Sequence, residues 1–364
     1  MAIRPIFLFS VSRSGSTLVQ RVIAAHDGVA TVSEPWLLLP YAYSLRSEGI
    51  DAEYFHPLLA TAIGDFCHQL EGGADDYRRE HRALALRLYE NAARARRGDA
   101  DGGGARYFLD KSPAYYLIAE EVMRTFPEGR FVFLWRNPLS VMASIMETFN
   151  EGRWCPTVGR GDLFLGLPRL TEAYRKNRDR AHAVRFEDLL SGGERPWREL
   201  MGYLGIEFEP QALRRFSKIR LDGRMGDPTG VRRYTTLDSA TTQKWRQTLA
   251  GPLRRAWCRR YLEFLGPERL GAMGYELGEL TAELDRLPAT RDSLLPDVGG
   301  LLLDLVKEPV RVRIRRRGAG GPNVIRELLA SRPSRTISRF GAAMGAALQS
   351  SPTNASPSPW RQAA

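Results

Sequence analysis

The turn SRSGST, residues 12–17, is the stretch whose residue types best suit chemistry. It follows the apolar run 6–11 and precedes Leu18, Val19 and Val22 at helical spacing, a pattern that predicts a strand, a tight turn and a helix. The backbone N–H groups of such a turn and the positive end of the helix dipole favour anions. The sequence therefore predicts a cradle for a phosphate-like group.

The turn departs from the nucleoside triphosphate loop G-x-x-x-x-G-K-[ST] at two positions. Ser10 stands where the first Gly belongs, and Ser16 stands where the Lys belongs. Without that Lys, a small-molecule kinase or another P-loop triphosphatase fits less well, and we keep it as an alternative. Arg13 supplies the positive charge instead, and its planar fork suits an oxyanion. An ordinary strand–turn–helix with a surface Arg is the non-functional interpretation.

Two more charged side chains follow short predicted strands. Glu34 lies near the end of the segment 30–35, and Lys111 follows the strand 107–110. Ligands of open parallel sheets bind at the carboxyl ends of the strands, so both side chains are expected beside the anion. A carboxylate there would repel the anion, which favours a general base. The alternative is that Glu34 caps a helix over 36–46.

The stretch 130–149 predicts a second strand, turn and helix. Residues 131–135 form a continuous apolar strand, and Pro138 is a favourable first helical residue. Arg136 at the strand end and Ser144 about two helical turns later would grip one phosphate between a fork donor and a hydroxyl. Plain packing of Ser144 on the helix is the alternative.

The composition is that of a soluble globular protein with a basic balance. Of the 364 residues, 43% are hydrophobic and 26% charged, and the net charge is +11. No apolar run approaches the ~18 residues of a membrane span. The early first strand leaves no room for a signal peptide. Three scattered cysteines, Cys67, Cys155 and Cys258, argue against a disulfide framework and a zinc site. We therefore expect a cytoplasmic enzyme.

Alternating short strands and helices predict the fold class: α/β, with a P-loop-NTPase-like parallel sheet flanked by helices, helical insertions and a C-terminal extension. Residues 54–97 predict two inserted helices that shape the choice of acceptor. Their apolar residues are expected at these positions: Leu58, Leu59, Ile63 and Phe66 on one face of the first helix, and Leu84, Leu86, Leu88 and Tyr89 on the second.

Several motifs together resemble the sulfotransferases that use 3′-phosphoadenosine 5′-phosphosulfate (PAPS). The matching stretches, in the family's order, are SRSGSTL (12–18), Glu-Pro (34–35), DKSP (110–113), WRNPLSVMASI (135–145), AVRFEDLL (183–190) and QKWRQTL (243–249). The similarity covers residues 6–265, and several ordered motifs are far more specific than any one of them.

The resemblance implies a set of residues that bind PAPS. The first loop would hold the 5′-phosphosulfate through Arg13, Ser14, Gly15, Ser16 and Thr17. After the later strand, 131–135, Arg136 and Ser144 would hold the 3′-phosphate. In the segment 243–249, which closes the cofactor site in the family and is here called the closing segment, Lys244 would make a further cofactor contact. A pseudo-enzyme that binds the nucleotide without turnover would share these residues.

The resemblance also implies three catalytic residues. Glu34 matches the carboxylate base of the tyrosylprotein and many carbohydrate branches, Lys111 a lysine that steadies the sulfuryl group, and Arg13 stabilises the leaving group. The cytosolic branch has Lys and a His base instead, so this chain is nearer the carbohydrate, tyrosylprotein and bacterial branches. A single sulfuryl lacks the clustered charge that makes Mg²⁺ useful to kinases, so no metal is expected.

The chain is expected to divide into a sulfotransferase domain over 1–275, a mostly helical extension over 276–349 and a disordered tail over 350–364. The basic loop 218–242 is expected to close over the ligands or to be a solvated surface loop. Three of its residues are candidates for contact with cofactor or acceptor: Arg232, Arg233 and Tyr234.

The expected partner is a small-molecule or glycan acceptor with a hydroxyl group: a sugar, a phenol, or a natural-product or lipid alcohol. A nucleic-acid partner would suit the positive charge, but no zinc spacing, aromatic RNA-binding motif or helix-turn-helix pattern accompanies it. The basic run 311–317 is a solvated face, a dimer contact or a contact with an acidic membrane surface.

Overall fold

The computed structural model describes most of the amino-terminal part of the chain. The described residues are 3–50, 52, 54–97, 105–221, 236–288 and 296–301. They belong to one compact unit, Met1–Val306, and the second unit is Lys307–Ala364.

A five-stranded sheet forms the centre of this unit, and all of its pairings are parallel. The strands are β1 Arg4–Phe9, β2 Val29–Thr31, β3 Tyr107–Asp110, β4 Arg130–Trp135 and β5 Ala181–Arg185. Their order is β2-β3-β1-β4-β5, so β1 lies in the middle between β3 and β4. The parallel α/β sheet predicted from the sequence is confirmed, and its ligand edge is expected outside the carboxyl end of β1, where the strand order reverses.

Helices connect and flank the strands. In chain order they are α1 Ser16–Ile23, α2 Leu38–Ser44, α3 His56–Cys67, α4 Ala74–Arg97, α5 Ala119–Thr125, α6 Pro138–Asn150, α7 Leu167–Lys176, α8 Phe186–Ser191, α9 Arg195–Leu204, α10 Ala212–Arg215, α11 Trp245–Thr248, α12 Pro252–Ala272 and α13 Leu277–Asp285.

The two faces of the sheet carry different cores because successive side chains of a strand point to opposite faces. On β1, Phe7 and Phe9 join an aromatic cluster in which the Phe7 and Phe131 rings stack at 5.7 Å. Ile6 and Leu8 face an aliphatic cluster that includes the buried residues of α1. Strands covered on both faces read as continuous apolar runs, which is why the strands were recognisable.

The segment after β2 differs from its prediction. The strand ends at Thr31, not near residue 35, and α2 begins at Leu38, not at Trp36. Trp36 has a positive φ of 54°, which interrupts both strand and helix geometry. The matching stretch 183–190 spans two elements: β5 ends at Arg185, and the following residues form α8.

The two inserted helices are present, but their large apolar residues do not all face the core. On α3, Leu58 is 65% exposed and Phe66 is 52% exposed. On α4 the buried positions are Ala85, Tyr89 and Ala93, at i, i+4 and i+8, whereas the predicted leucines at 84 and 88 are exposed. Small residues let α4 lie close to the domain, so the side that packs is not the most hydrophobic one.

After α12, the helix α13 packs back on the domain through the buried Leu280 and Leu284. The predicted boundaries at 275 and 349 remain predictions. Several predicted features lie outside the described residues: Arg232, Arg233 and Tyr234, the basic run 311–317 and the tail 350–364. In the part of the chain that the structure describes, no helix combines the length and the apolar character needed to cross a membrane.

Candidate active site

The turn between β1 and α1 has the backbone geometry of an anion cradle. Arg13 and Gly15 both adopt left-handed conformations, with φ of 66° and 87°. A Cβ at Gly15 would overlap the ring of Phe186, so only glycine fits this position. The first N–H groups of a helix have no partner within it, and here they belong to Ser16 and Thr17. The turn therefore presents backbone donors and one guanidinium in the same place.

The residues predicted for two separate phosphates form one connected group. The Arg13 Nε donates to the Ser144 Oγ at 3.2 Å, and the Arg136 Nη1 donates to the Arg13 carbonyl at 2.7 Å. The buried Arg136 guanidinium lies over the Phe186 ring, 5.1 Å from its centroid. The ends of β1 and β4 are adjacent in the sheet, which is why turns 123 residues apart in sequence meet.

Glu34 and Lys111 form an ion pair in which the lysine is buried and the carboxylate is partly buried. The Lys111 Nζ lies 2.7 Å from the Glu34 Oε1, and the two side chains are 1% and 11% exposed. The same ammonium lies 3.5 Å from the Thr17 Oγ1, at the start of α1. The capping alternative for Glu34 is wrong, because the residue before α2 is Leu37 and the first N–H of that helix, at Leu38, is accepted by the Tyr115 hydroxyl. Both charges are thus oriented at the ligand edge of the sheet.

Trp36 is a neighbour of Glu34 that the sequence analysis missed. Its indole Nε1 donates to the Glu34 Oε2 at 3.3 Å, while the side chain remains 40% exposed. An exposed aromatic ring beside a partly buried carboxylate is available to an incoming molecule. Its position directly after Glu34-Pro35 was the only signal in the sequence.

Asp110 is the second residue that the sequence analysis missed, although it begins the DKSP motif. Its carboxylate is fully buried and accepts hydrogen bonds from Tyr89, Tyr115 and Ser112. Burial raises the pKa of Asp110 to about 6, although these three hydrogen bonds and the charge of Lys111 act in the opposite direction. The site thus contains a buried carboxylate directly behind the Glu34–Lys111 pair.

Asp162 is a third missed carboxylate, and it contacts the first turn. Its Oδ1 accepts the Ser12 N–H at 2.8 Å. Burial raises the pKa of Asp162, the bonds from Ser12 oppose this shift, and the negative charge of Glu34 adds to it. The residue lies in a π-helical turn, Gly161–Gly166, a distortion that is frequent at functional sites and that no sequence pattern had indicated.

The segment before α11 lies against the Arg136 turn. The Thr241 carbonyl accepts a bond from the Arg136 Nη2 at 3.5 Å, and the Thr242 carbonyl accepts one from the Ser140 Oγ at 3.4 Å. The Lys244 side chain is exposed. The described hydrogen bonds therefore connect this segment to the site through its backbone, and the predicted Lys244 contact with the cofactor remains a prediction.

Within the described ranges, no three His, Cys, Asp or Glu side chains are grouped so that they could hold a metal ion.

The parallel sheet and the turn after its first strand define an α/β protein of the P-loop-like class. This chain belongs to the sulfotransferase family, whose sequence model matches residues 5–210. It is 26% identical over 298 residues to nodulation protein NoeE of Sinorhizobium fredii, across 74% of this chain and 65% of that protein. The chain thus spans less than two thirds of the length of this relative.

Two solved structures are similar in fold. The sulfotransferase domain from the curacin biosynthetic pathway is 22% identical, with 75% of this chain and 98% of that chain covered and a TM-score of 0.49. The sulfotransferase domain of the Synechococcus PCC 7002 olefin synthase is 23% identical, with 67% and 88% covered and a TM-score of 0.45.

Proposed function

We propose that this chain transfers a sulfuryl group from PAPS to the hydroxyl group of an acceptor, without a metal ion. The observation that carries the proposal is the connection of two arginines, Arg13 and Arg136, beside the Glu34–Lys111 pair. The two guanidinium groups suit a ligand with two separate anionic groups, and the carboxylate beside them can act as a general base. Membership of the sulfotransferase family supports this interpretation.

The residues of the first turn fit a 5′-phosphosulfate. Gly15 has no side chain, and the Phe186 ring occupies the space that a Cβ would take. The first N–H groups of α1, at Ser16 and Thr17, have no partner within the helix. Arg13 adds a guanidinium to these donors. Together with Ser14, these residues would hold the 5′ group.

Arg136 and Ser144 would hold the 3′-phosphate. Ser144 already accepts a bond from Arg13, so the two phosphate-binding groups support each other. Lys244 would contact the nucleotide from the closing segment, whose backbone lies against Arg136. When bound, PAPS supplies an activated sulfuryl group and a 3′,5′-bisphosphate leaving group.

Glu34 would accept the proton of the acceptor hydroxyl as the new oxygen–sulfur bond forms. Lys111 orients this carboxylate through its 2.7 Å contact and faces the start of α1, where negative charge collects during the reaction. Arg13 stabilises that charge from the other side of the turn. The chain's own contribution is positioning and electrostatics, which is what sulfuryl transfer requires.

The acceptor is proposed to be a small-molecule or glycan alcohol: a sugar, a phenol, or a natural-product or lipid alcohol. The partly exposed ring of Trp36 is the apolar surface next to the base. Because no step depends on a metal, EDTA is expected to leave turnover unchanged, whereas a kinase would lose its Mg²⁺-dependent activity.

Calorimetric binding of 3′-phosphoadenosine 5′-phosphate (PAP) against ATP–Mg²⁺ tests the proposal. Wild type should bind PAP and ignore ATP–Mg²⁺, and Arg136→Ala should weaken PAP binding by about tenfold or more. Arg195→Ala is the matched control, since Arg195 is an exposed residue on α9 paired only with surface charge. Preference for ATP–Mg²⁺ would contradict the proposal and favour the kinase. Tight PAP binding without any sulfuryl transfer would indicate a pseudo-enzyme.

A further inference from the structure

Two hydroxyl groups connect the buried Asp110 to the backbone that follows Glu34. The Ser112 Oγ donates to the Asp110 Oδ1 at 3.3 Å and accepts the Trp36 N–H at 3.1 Å. The Tyr115 hydroxyl donates to the Asp110 Oδ2 at 3.0 Å and accepts the Leu38 N–H at 3.2 Å. Each hydroxyl has one proton to donate, and a carboxylate only accepts. In each of these two chains of hydrogen bonds, here called relays, the backbone N–H donates to the hydroxyl and the hydroxyl donates to the ionised Asp110 carboxylate.

The backbone held by these relays is one that would not keep its shape unaided. Trp36 is one of three described non-glycine residues with a positive φ, here 54°. Such a conformation is strained for a residue with a side chain and persists only where its surroundings fix it. The Leu38 N–H lies in the first turn of α2 and has no partner within that helix. The two relays end at these two backbone N–H groups, of Trp36 and of Leu38.

The other side of Glu34 is anchored separately. The buried Gln20 of α1 donates through its Nε2 to the Thr31 Oγ1 at 2.8 Å and to the Val32 carbonyl at 2.7 Å. The backbone before Glu34 is thus held by Gln20 of α1, and the backbone after it is held by the two relays, which start just after β3. Since the carboxylate must meet a hydroxyl within hydrogen-bond distance, the position of this short segment decides whether it works as a base.

We propose that Asp110 is a positioning residue that, through Ser112 and Tyr115, fixes the turn after Glu34 and so aims the carboxylate. This inference rests on the proposed role of Glu34 as base. Asp110 itself is fully buried, so the role proposed for it is to position other groups and not to contact the substrate. Asp110 and Lys111 are adjacent at the end of β3. This strand end therefore positions both the lysine that pairs with Glu34 and the backbone turn that follows Glu34.

The chain offers a matched control in Tyr89 of α4. Its hydroxyl donates to the same Asp110 Oδ2, at 2.6 Å, but does not continue to the turn after Glu34. Tyr89→Phe and Tyr115→Phe therefore remove the same chemical group from the same carboxylate oxygen. Only the second variant breaks a relay.

Residue-resolved amide hydrogen exchange by NMR tests the relays without any acceptor. Tyr115→Phe should speed exchange of the Leu38 amide by about tenfold, and Ser112→Ala should do the same for the Trp36 amide, each by the loss of one hydrogen bond. Tyr89→Phe should change neither amide relative to the rest of the protein. Unchanged Leu38 protection in Tyr115→Phe, or an equal loss in Tyr89→Phe, would overturn the inference.

Kinetics test the positioning role. Transfer from PAPS is measured with whichever of 4-nitrophenol, methyl α-glucoside or dodecanol the wild type accepts. Tyr115→Phe should lower kcat by about tenfold while PAP affinity stays within about twofold, because only the base is misplaced. In a Glu34→Gln background the same change should add little. Equal, additive losses in both backgrounds would contradict a route through Glu34.

The two proposals fail in different ways. If wild type sulfates none of the three acceptors and does not bind PAP, the proposed function loses its support. The exchange rates of the Leu38 and Trp36 amides still decide whether the relays hold the turn. If sulfuryl transfer occurs but the exchange rates of those amides do not change in Tyr115→Phe and Ser112→Ala, the proposed function stands and the positioning inference is wrong.

Discussion

The site has two sides that are built on different physical principles. The arginine side, Arg13, Arg136 and Ser144, is joined by hydrogen bonds to a hydroxyl and to the backbone of a tight turn. The carboxylate side, Glu34 and Lys111 with the residues behind them, is a set of buried charges that compensate each other. We propose that the first side binds the charge of a ligand, whereas in the second the charges of Glu34 and Lys111 are paired with each other.

This difference indicates where substitutions are tolerated. Because we propose that the arginine side binds an anion, the loss of one of its donors should weaken that binding. A buried ion pair that loses one member leaves an uncompensated charge, which is strongly unfavourable. We therefore expect changes on the arginine side to alter affinity and rate, and changes on the carboxylate side to alter rate and stability.

The largest effect is expected at Glu34. Glu34→Gln should lower kcat/KM by roughly 10² or more, because the amide cannot take the proton of the acceptor. PAP affinity should stay close to that of wild type. Glu48→Gln, a change at an exposed residue just after α2, serves as the control. An active Glu34→Gln enzyme would contradict the base assignment and leave family membership untouched.

Arg13→Ala should also lower kcat/KM by roughly 10², but with a different signature. PAP binding should weaken in parallel, since Arg13 is expected to hold the 5′ group and also supports Ser144. Calorimetry and steady-state kinetics on the same preparation would separate the two variants. If Glu34→Gln weakened PAP binding as much as Arg13→Ala, the distinction between the two sides would be wrong.

Asp110 gives the carboxylate side a pH-dependent stability. Its pKa is raised from 3.8 to about 6 in the folded protein, so between these values the folded state binds more protons than the unfolded state. The contribution of Asp110 to the free energy of unfolding therefore falls as pH rises from about 4 to about 6, by roughly 3 kcal/mol.

Urea unfolding of wild type and Asp110→Asn across this pH range measures that contribution. The difference between the two curves should change by this amount, while Asp179→Asn, at an exposed residue, should run parallel to wild type. Parallel curves for wild type and Asp110→Asn would contradict the raised pKa.

The smallest effect is expected at Trp36. Trp36→Phe removes the indole bond to the Glu34 Oε2 and keeps an aromatic ring, so kcat/KM should fall by about threefold to tenfold. PAP affinity should not change. A variant with unaltered kcat/KM would show that the indole bond does not help to orient the carboxylate.

The arginine side could be predicted from the sequence because its parts are local. A strand, a glycine-containing turn and a helix occupy residues 4–23 without interruption, and residues 130–150 repeat the arrangement. Arg136 directly follows the apolar strand β4, and Arg13 lies four residues after the end of β1. That the two turns touch follows from β1 and β4 being neighbours, which the structure shows and the sequence analysis did not predict.

The carboxylate side could be predicted only in part. Glu34 and Lys111 stood out because they follow strands, but their direct pairing was not foreseen. Asp110 and Asp162 were missed because a carboxylate in a motif or a turn looks the same in sequence whether it is exposed or buried. The packing face of α4 was misjudged for a related reason, since the buried positions there include Ala85 and Ala93 while Leu84 and Leu88 are exposed.

The parallel sheet, the tight first turn and the residues at the strand ends could be predicted from the sequence, because strand runs, turn residues and helix starts depend on neighbours in the chain. The pairing of the charges and the burial of the carboxylates became known from the folded structure. Burial and compensation depend on groups brought together from distant segments, such as Tyr89 and Tyr115 around Asp110, and no local pattern records them.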